Sequence, residues 1–397
     1  MKAAMKFTQP PITSEDAHVI GAFLGNAGGP TLIAVGGIHG NEPSGVMALR
    51  EISAVLAGME DRLKGRVYLV AGNTRALTEK VRFIDCDLNR SWTRENMMSV
   101  GTPSFMETSE GSELTEIDRL LDRILITARS EVYVLDLHST SAGGSAFATV
   151  GDTLRNRAFA QKFPVTIILG IEEQLEGTML EYLNNAGAVT LGFEGGQHDS
   201  PVTVENHASL VWLALLNAGI LSKTDVPDLE AHRARLAADK RGSRLVEVRY
   251  REAITAEGDF VMGRVFKNFD PIKKGQVIAK NKLGPIEVKE SGMILMPLYQ
   301  KLGEDGFFIG RTISPLWLRV SAILRKLRVQ NYVYLLPGVD RSPNDPETLI
   351  INTRVARLFP LQIFHLLGFR KRRWNGNNLI VSRRRHDTVS PFTRQLT

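Results

Sequence analysis

The sequence predicts an α/β protein: a mixed sheet flanked by helices, followed by a small all-β domain and a basic C-terminal extension. Three observations point there. Apolar runs alternate with helical patterns up to about residue 222, the signature of strands crossing to helices and back. From residue 242 the style changes to short β-rich runs broken by Gly, Pro and Asp. The charge is uneven as well: residues 311–397 carry sixteen Arg/Lys and four Asp/Glu, while the whole 397-residue chain is only +6. The first 310 residues are therefore net acidic, which does not suit a uniformly basic nucleic-acid binder. The divisions read from this are 1–222, a linker or helix over 223–241, a small β domain over 242–310, and the extension 311–397.

The elements follow in order. TLIAVGGI (31–38) is an apolar run ending in glycines, as a strand buried on both faces would be. PSGVMALREISAVLAGM (43–59) has helical periodicity, with Pro43 tolerated in the first turn. GRVYLVAG (65–72) is a second strand. Residues 73–112 are polar and irregular, longer than an ordinary connection, and such segments are often functional. SELTEIDRLLDRILITA (112–128) reads as a helix. EVYVLDLHST (131–140), TIILG (166–170) and AVTLGFEGG (188–196) are strands, with a helix over 177–187 between the last two. NHASLVWLALLNAGIL (206–221) is an apolar helix with Gly219 near its end. Beyond 310, an amphipathic basic stretch (316–330) precedes LFPLQIFHLLGFRKRRW (358–374).

At 43% hydrophobic, the chain can bury a sizeable core. The single cysteine, Cys86, forbids an intrachain disulfide and suits a reducing compartment. MKAAMKFTQPPITSEDAH lacks the apolar segment of a secretory leader. No uninterrupted apolar stretch reaches the length of a membrane span. The expected location is the cytoplasm.

A structural zinc site is usually cysteine-rich, so this chain is restricted to the His/carboxylate sets of catalytic zinc. His39 and Glu42, three residues apart after a strand, could meet at one point, although a polar turn has the same spacing. His138 also stands at a strand end, where open α/β sheets collect catalytic groups. Asp136, two residues earlier, either orients an imidazole or simply ends the strand. Glu194 in LGFEGGQH could act as a general base beside a metal-bound water, or be a loop carboxylate. His198 and His207 are further candidates, and the helical pattern around His207 favours a structural role. In RFIDCDLNRSW (82–92), Arg82 and Arg90 suit carboxylate or oxyanion recognition, with ion pairs to Asp85 and Asp87 as the alternative. Cys86 has no partner and is expected to be buried and inert.

GGIHGNEPSG, RFIDCDLNR, DLHST and FEGG occur in an order that resembles the succinylglutamate desuccinylase/aspartoacylase family. Its members look like zinc carboxypeptidases in fold and site, and release the acyl group from an N-acyl amino acid. The resemblance covers about residues 25–220, and the 242–310 segment resembles the small β domain that follows in the family. It implies Zn2+ on His39, Glu42 and His138, with Glu194 as general base and proton shuttle. It implies that Arg82 polarises the carbonyl, that Asn89 and Arg90 hold the substrate carboxylate, and that Asp87 supports the loop. One departure stands out. Aspartate-specific members carry an arginine shortly before the catalytic glutamate, where this chain reads NNAGAVTLGFE, with Asn184 and Asn185.

The implied activity is therefore zinc-dependent hydrolysis of a small N-acyl substrate bearing a free carboxylate. A metallocarboxypeptidase for short or modified peptides is the alternative. A homo-oligomer is compatible with the sequence. The arginine clusters 370–373 and 383–385 allow contact with nucleic acid or anionic membranes, but packing of the extension on the catalytic domain is the favoured expectation.

Overall fold

The computed structural model describes residues 12–13, 15–238, 244–255, 258–300, 302–343, 345–352, 355, 361–369, 371–375 and 378–393. Most of the N-terminal stretch examined for a leader, residues 239–241 of the linker, and Arg370 of the basic cluster lie outside the described residues. The chain runs β1 (Val19–Leu24), β2 (Thr31–Gly36), α1 (Ser44–Leu56), β3 (Arg66–Ala71), α2 (Thr74–Glu79), α3 (Arg94–Ser99), α4 (Ser109–Thr127), β4 (Val132–Thr140), β5 (Phe147–Val150), α5 (Leu154–Ala160), β6 (Thr166–Leu169), α6 (Met179–Asn185), β7 (Val189–Gln197) and α7 (Pro201–Asn217). It continues with α8 (Leu229–Leu236), β8 (Leu245–Ala253), β9 (Val261–Met262), β10 (Pro271–Ile272), β11 (Val277–Asn281), β12 (Gly284–Glu287), β13 (Gly292–Leu295) and β14 (Asp305–Thr312). It closes with α9 (Pro315–Lys326), β15 (Val339–Arg341), β16 (Thr348–Asn352), α10 (Leu361–Leu366), β17 (Lys371–Asn375) and β18 (Asn378–Ser382).

The central sheet has the order β1-β3-β2-β4-β7-β5-β6-β8-β14-β13-β10. β3, β2, β4 and β7 are parallel neighbours, while β1 is antiparallel to β3 and β5 is antiparallel to β7. This is the expected mixed sheet flanked by helices. Strand β2 shows why its sequence is continuously apolar. Leu32 and Ala34 pack with α1 and α7 on one face, and Ile33 and Val35 pack with α4 and α6 on the other. A strand covered on both faces has no side for polar residues. Truncating such a residue, Ile33→Ala for instance, costs about 2–5 kcal/mol in a close-packed interior.

Local chemistry sets the helix starts. Thr108 accepts the backbone N–H of Gly111, so α4 begins at Ser109, three residues before the expected Ser112. Pro201 occupies the first turn of α7, which starts earlier than the expected residue 206. Residues 73–112, expected to be irregular, contain α2, α3 and short 3-10 turns. Buried Glu110 holds this segment by accepting the N–H groups of Ile84, Asp85 and Cys86 at 2.8, 2.9 and 3.2 Å.

The β-rich stretch continues the same sheet, because β8 lies parallel to β6 and antiparallel to β14. A three-stranded sheet, β12-β11-β9, adds its own small core with Met262, Ile278 and Ile286. Near the C-terminus, β15-β16-β18-β17 form another sheet around Leu349, Ile351, Phe364 and Val381. Helix α9, ahead of this sheet, turns a basic residue inward. Arg325, with no exposed side-chain surface, pairs with Asp152 at 3.0 Å and Asp387 at 3.3 Å. Asp387 also accepts the N–H of Leu154 at the start of α5. No described helix is long and apolar enough to cross a membrane.

Candidate active site

The sheet register puts the chemistry together. In the β4–β7 pair His138 lies opposite Glu194, so both side chains leave the same face. Asp136 is two residues before His138 and shares that face; its Oδ2 lies 2.8 Å from His138 Nε2. The neighbouring β2 ends at Gly36, and the turn after it delivers His39 and Glu42 just before α1. Gly40 is required in that turn, because a Cβ there would lie 2.1 Å from the Ala76 backbone carbon. Pro43 stands immediately ahead of the helix, as its N-cap.

His39, Glu42 and His138 offer ligand atoms that all lie within 4.8 Å of one another. His39 Nδ1 is 3.0 Å from Glu42 Oε1, and His138 Nδ1 is 3.1 Å from Glu42 Oε2. Each imidazole thus turns Nδ1 toward one carboxylate and backs Nε2 against another, Asp87 for His39 at 3.1 Å and Asp136 for His138. A carboxylate behind Nε2 favours the tautomer that leaves Nδ1 free to ligate, the usual support for a metal-binding histidine, and His39 Nε2 is also approached by Arg82 Nη2 at 2.9 Å. Two imidazoles and one carboxylate are the donor set of a catalytic zinc with an open position. This triad is a zinc site.

Glu194 completes the constellation. It faces the same cavity, and its buried Oε2 has no hydrogen-bond partner among the described residues. Burial pushes its carboxyl up to about 8, with Glu42 and Asp136 adding to the rise and His138 opposing it. Gly195 beside it must lack a side chain, since a Cβ would sit 2.3 Å from His207 Nε2. His207 itself is fully buried and bonds the His138 carbonyl at 2.9 Å, the structural role its helical pattern suggested.

The arginine loop reaches the site from β3. Arg82 donates to Asp87 at 3.0 Å and lies 3.4 Å from Glu42. Asp87 also accepts the backbone N–H of Asn89 at 2.8 Å, and burial does not prevent His39, Arg82 and Arg90 from holding its carboxyl well below the usual range. Asn89 Oδ1 accepts the N–H of Met179 at the start of α6, and its Nδ2 is 3.4 Å from His138 Nε2. Arg90 donates to Asp305 at 3.0 Å and lies 3.6 Å from Glu304. Of the ion pairs expected with Asp85 and Asp87, Arg82–Asp87 is present, while Arg90 pairs with Asp305 of β14, a partner that local sequence does not suggest.

His198 also lines the cavity, held between Ser139 Oγ at 2.8 Å and Gln300 Oε1 at 3.1 Å. Sequence reasoning missed Gln300, Glu304, Asp305 and Glu172, which come from connections with no motif of their own. Cys86 is a correction: it is exposed, not buried. Partial desolvation and the nearby acids Glu110, Asp85 and Asp87 outweigh its contact with Ser91 and push the thiol above its ordinary value, so it remains a poor nucleophile.

The cavity holds about 150 Å3 and is walled on one side by Met296, Pro297, Leu298 and Gln300. Comparisons agree with this architecture. The chain is 26% identical over 219 residues to an N-acyl-aromatic-L-amino acid amidohydrolase from Xenopus laevis, covering 50% of this chain and 68% of that protein. It is 23% identical to a probable aspartoacylase from Prochlorococcus marinus, covering 70% and 89%. A match to a succinylglutamate desuccinylase from Pseudomonas fluorescens, at 28% identity, spans 29% of this chain and 32% of that protein. In structure, it is similar to a succinylglutamate desuccinylase/aspartoacylase from Rhodobacter sphaeroides, with a TM-score of 0.54, 18% identity, and coverage of 73% of this chain and 87% of that one. It is equally similar to the product-bound ectoine utilization protein EutE (DoeB) from Ruegeria pomeroyi, with a TM-score of 0.54, 19% identity, and coverage of 77% and 98%. Residues 28–212 match the succinylglutamate desuccinylase/aspartoacylase catalytic domain, and all three residues of the zinc triad lie within that match.

Proposed function

We propose that this zinc-dependent hydrolase cleaves the amide bond of a small N-acyl amino acid, releasing a carboxylic acid and a free amine. The observation that carries the proposal is Glu194: a buried carboxylate beside the zinc triad with an unpartnered oxygen facing a small cavity. His39, Glu42 and His138 would hold the zinc, which would supply Lewis acidity toward the acyl carbonyl and the attacking water. Glu194 takes the proton of the attacking water and passes it to the departing nitrogen. Its raised proton affinity suits this shuttle, because it can hold the proton between the two transfers. Arg82 neutralises the oxyanion that develops on the carbonyl. Asn89 and Arg90 bind the substrate carboxylate, which exchanges with Asp305 for the Arg90 guanidinium. Asp87 and Asp136 hold the imidazoles in their ligating tautomer.

The cavity volume and the wall from residues 296–305 support a small substrate over a peptide chain. The test is a panel of N-acetyl, N-succinyl and related amino acids against blocked dipeptides, with bound zinc quantified. Turnover confined to the N-acyl amino acids is expected; turnover confined to blocked dipeptides would assign a metallocarboxypeptidase. The single cysteine supports a cytoplasmic location. The inward ion pairs of Arg325, and the pairing of Arg384 with Glu172, support an extension that packs on the catalytic domain. Nucleic-acid and membrane contacts gain no such support.

A further inference from the structure

Helix α9 is built inside out. Its inward side carries polar groups: Arg325 is fully buried against Asp152 and Asp387, and Ser321 Oγ donates to the Leu366 carbonyl at 2.6 Å. Of its apolar residues, Leu318 alone enters the main core. The outward side is apolar. Leu316, Val320, Ile323 and Leu327 recur at the spacing of one helical face, and Leu316, Ile323 and Leu327 are 63%, 58% and 68% exposed. Trp317 flanks them and is exposed too, as are Tyr332 and Leu335 in the 3-10 turn that follows, Val329–Leu335. Exposed apolar residues scattered singly are ordinary, but a concentrated set marks an interaction surface.

The charges beside the stripe discriminate between partners. No Asp or Glu occurs between Asp305 and Asp340, whereas Arg311, Arg319, Arg325, Lys326 and Arg328 all do. Arg325 is engaged inward. Helical geometry sets Arg319 and Lys326 along one flank of the stripe, and Arg328 follows its end. These three are exposed and have no ion-pair partner among the described residues. A second copy docked stripe to stripe would bring such cations together with no acid from this stretch to meet them. A surface that is anionic outside and apolar beneath suits both features, with Lys and Arg at the headgroups, apolar side chains below them and Trp at the boundary. At 12 residues α9 is about 18 Å long, too short to span a bilayer, so it would lie along one. Arg383 and Arg384 are already paired with Glu347 and Glu172 and take no part.

We propose that α9 and the turn after it seat the protein on the anionic lipid surface of a membrane. Strand β14 fixes where the zinc site then stands. Asp305 at its start lines the cavity, and Thr312 at its end leads into α9. Strand rise puts these two residues roughly 20 Å apart. The seat is therefore remote from the reaction, and its residues can be changed without touching the zinc site.

The test is co-sedimentation of zinc-loaded, full-length protein with vesicles of equal parts phosphatidylcholine and phosphatidylglycerol, against vesicles of phosphatidylcholine alone. Binding to the anionic vesicles is expected to be about tenfold or more tighter than to the neutral ones, and to fall as salt is raised. Arg319→Glu/Lys326→Glu should weaken it by about tenfold or more through the lost charge attraction. Ile323→Ser/Leu327→Ser should weaken it by about the same factor through lost apolar burial. All four positions are exposed, so the unfolding midpoint and zinc content of both variants should match wild type. No binding to anionic vesicles, equal binding to neutral ones, or binding that survives both double variants overturns the inference. A dimer in solution that Ile323→Ser/Leu327→Ser dissolves, without vesicle binding by wild type, would assign the stripe to a second copy and overturn it as well.

Discussion

Two walls of one cavity are built in contrasting ways. His39, Glu42, His138 and Glu194 sit at the ends of β2, β4 and β7, three adjacent parallel strands, in short motifs that are rich in glycine around His39 and Glu194. The opposite wall gathers Glu172 after β6, Gln300 and Asp305 around the β13–β14 connection, and Arg384 from the far C-terminus. The first wall performs a reaction and is fixed by strand register. The second lines the rest of the cavity and is fixed by contacts between remote parts of the chain. A reaction centre of this kind can stay constant while the facing wall is rebuilt residue by residue.

The contrast can be broken in measurable ways. The largest effect is expected at the reaction wall. Glu194→Gln should retain zinc and lose about 10²–10⁴-fold in kcat, the usual contribution of a positioned acid–base group. A wild-type rate with zinc bound would remove Glu194 from the mechanism. Next is the joint that carries the far wall. Arg325→Ala removes the buried guanidinium shared by Asp152 and Asp387, leaving Arg157 on the first and the Leu154 N–H on the second, and should cost about 3–5 kcal/mol in chemical denaturation. A loss confined to a few tenths of a kcal/mol would mean that the extension does not depend on this joint.

A third test concerns pH. Burial lowers His207 from an ordinary 6.5 to about 4, so the folded protein keeps it neutral while the unfolded chain protonates it. Its contribution to stability is complete above the unfolded value and is lost as pH falls through 6.5 toward 4, by about 3 kcal/mol. The difference between wild type and His207→Asn should shrink over that window; a pH-independent difference would contradict it. The smallest effect expected is Asp136→Asn, which should weaken zinc binding about 10–100-fold while leaving the triad in place. Unchanged metal affinity would reduce Asp136 to a strand-end carboxylate.

The same contrast explains what the sequence revealed. Strands 31–38, 65–72, 131–140 and 188–196 were legible because their apolar runs are buried on both faces and end in glycines or, for 131–140, in polar groups. His39, Glu42, His138 and Glu194 were legible because each belongs to a strand-end motif. Strands β1 and β5 and helix α5 were not read, being short and stabilised mainly by neighbours. Glu110, which anchors the arginine loop, looked like an ordinary residue near a helix start. Glu172 and Arg384 are separated by 212 positions, and nothing in either neighbourhood announces their meeting. Cys86 was misjudged because its exposure depends on how that loop is tethered.

The union of β6 with β8 has a mechanical outcome. Apart from Arg384, both cavity walls are carried on the strands of one hydrogen-bonded sheet or on the connections between them, so those strands cannot part like the halves of a jaw without breaking ladder bonds. The molecule behaves as a mould with a fixed floor. Met296, Pro297, Leu298 and Gln300, after β13, line one side of it, and substitutions among them should alter which molecules enter without altering what happens to them inside.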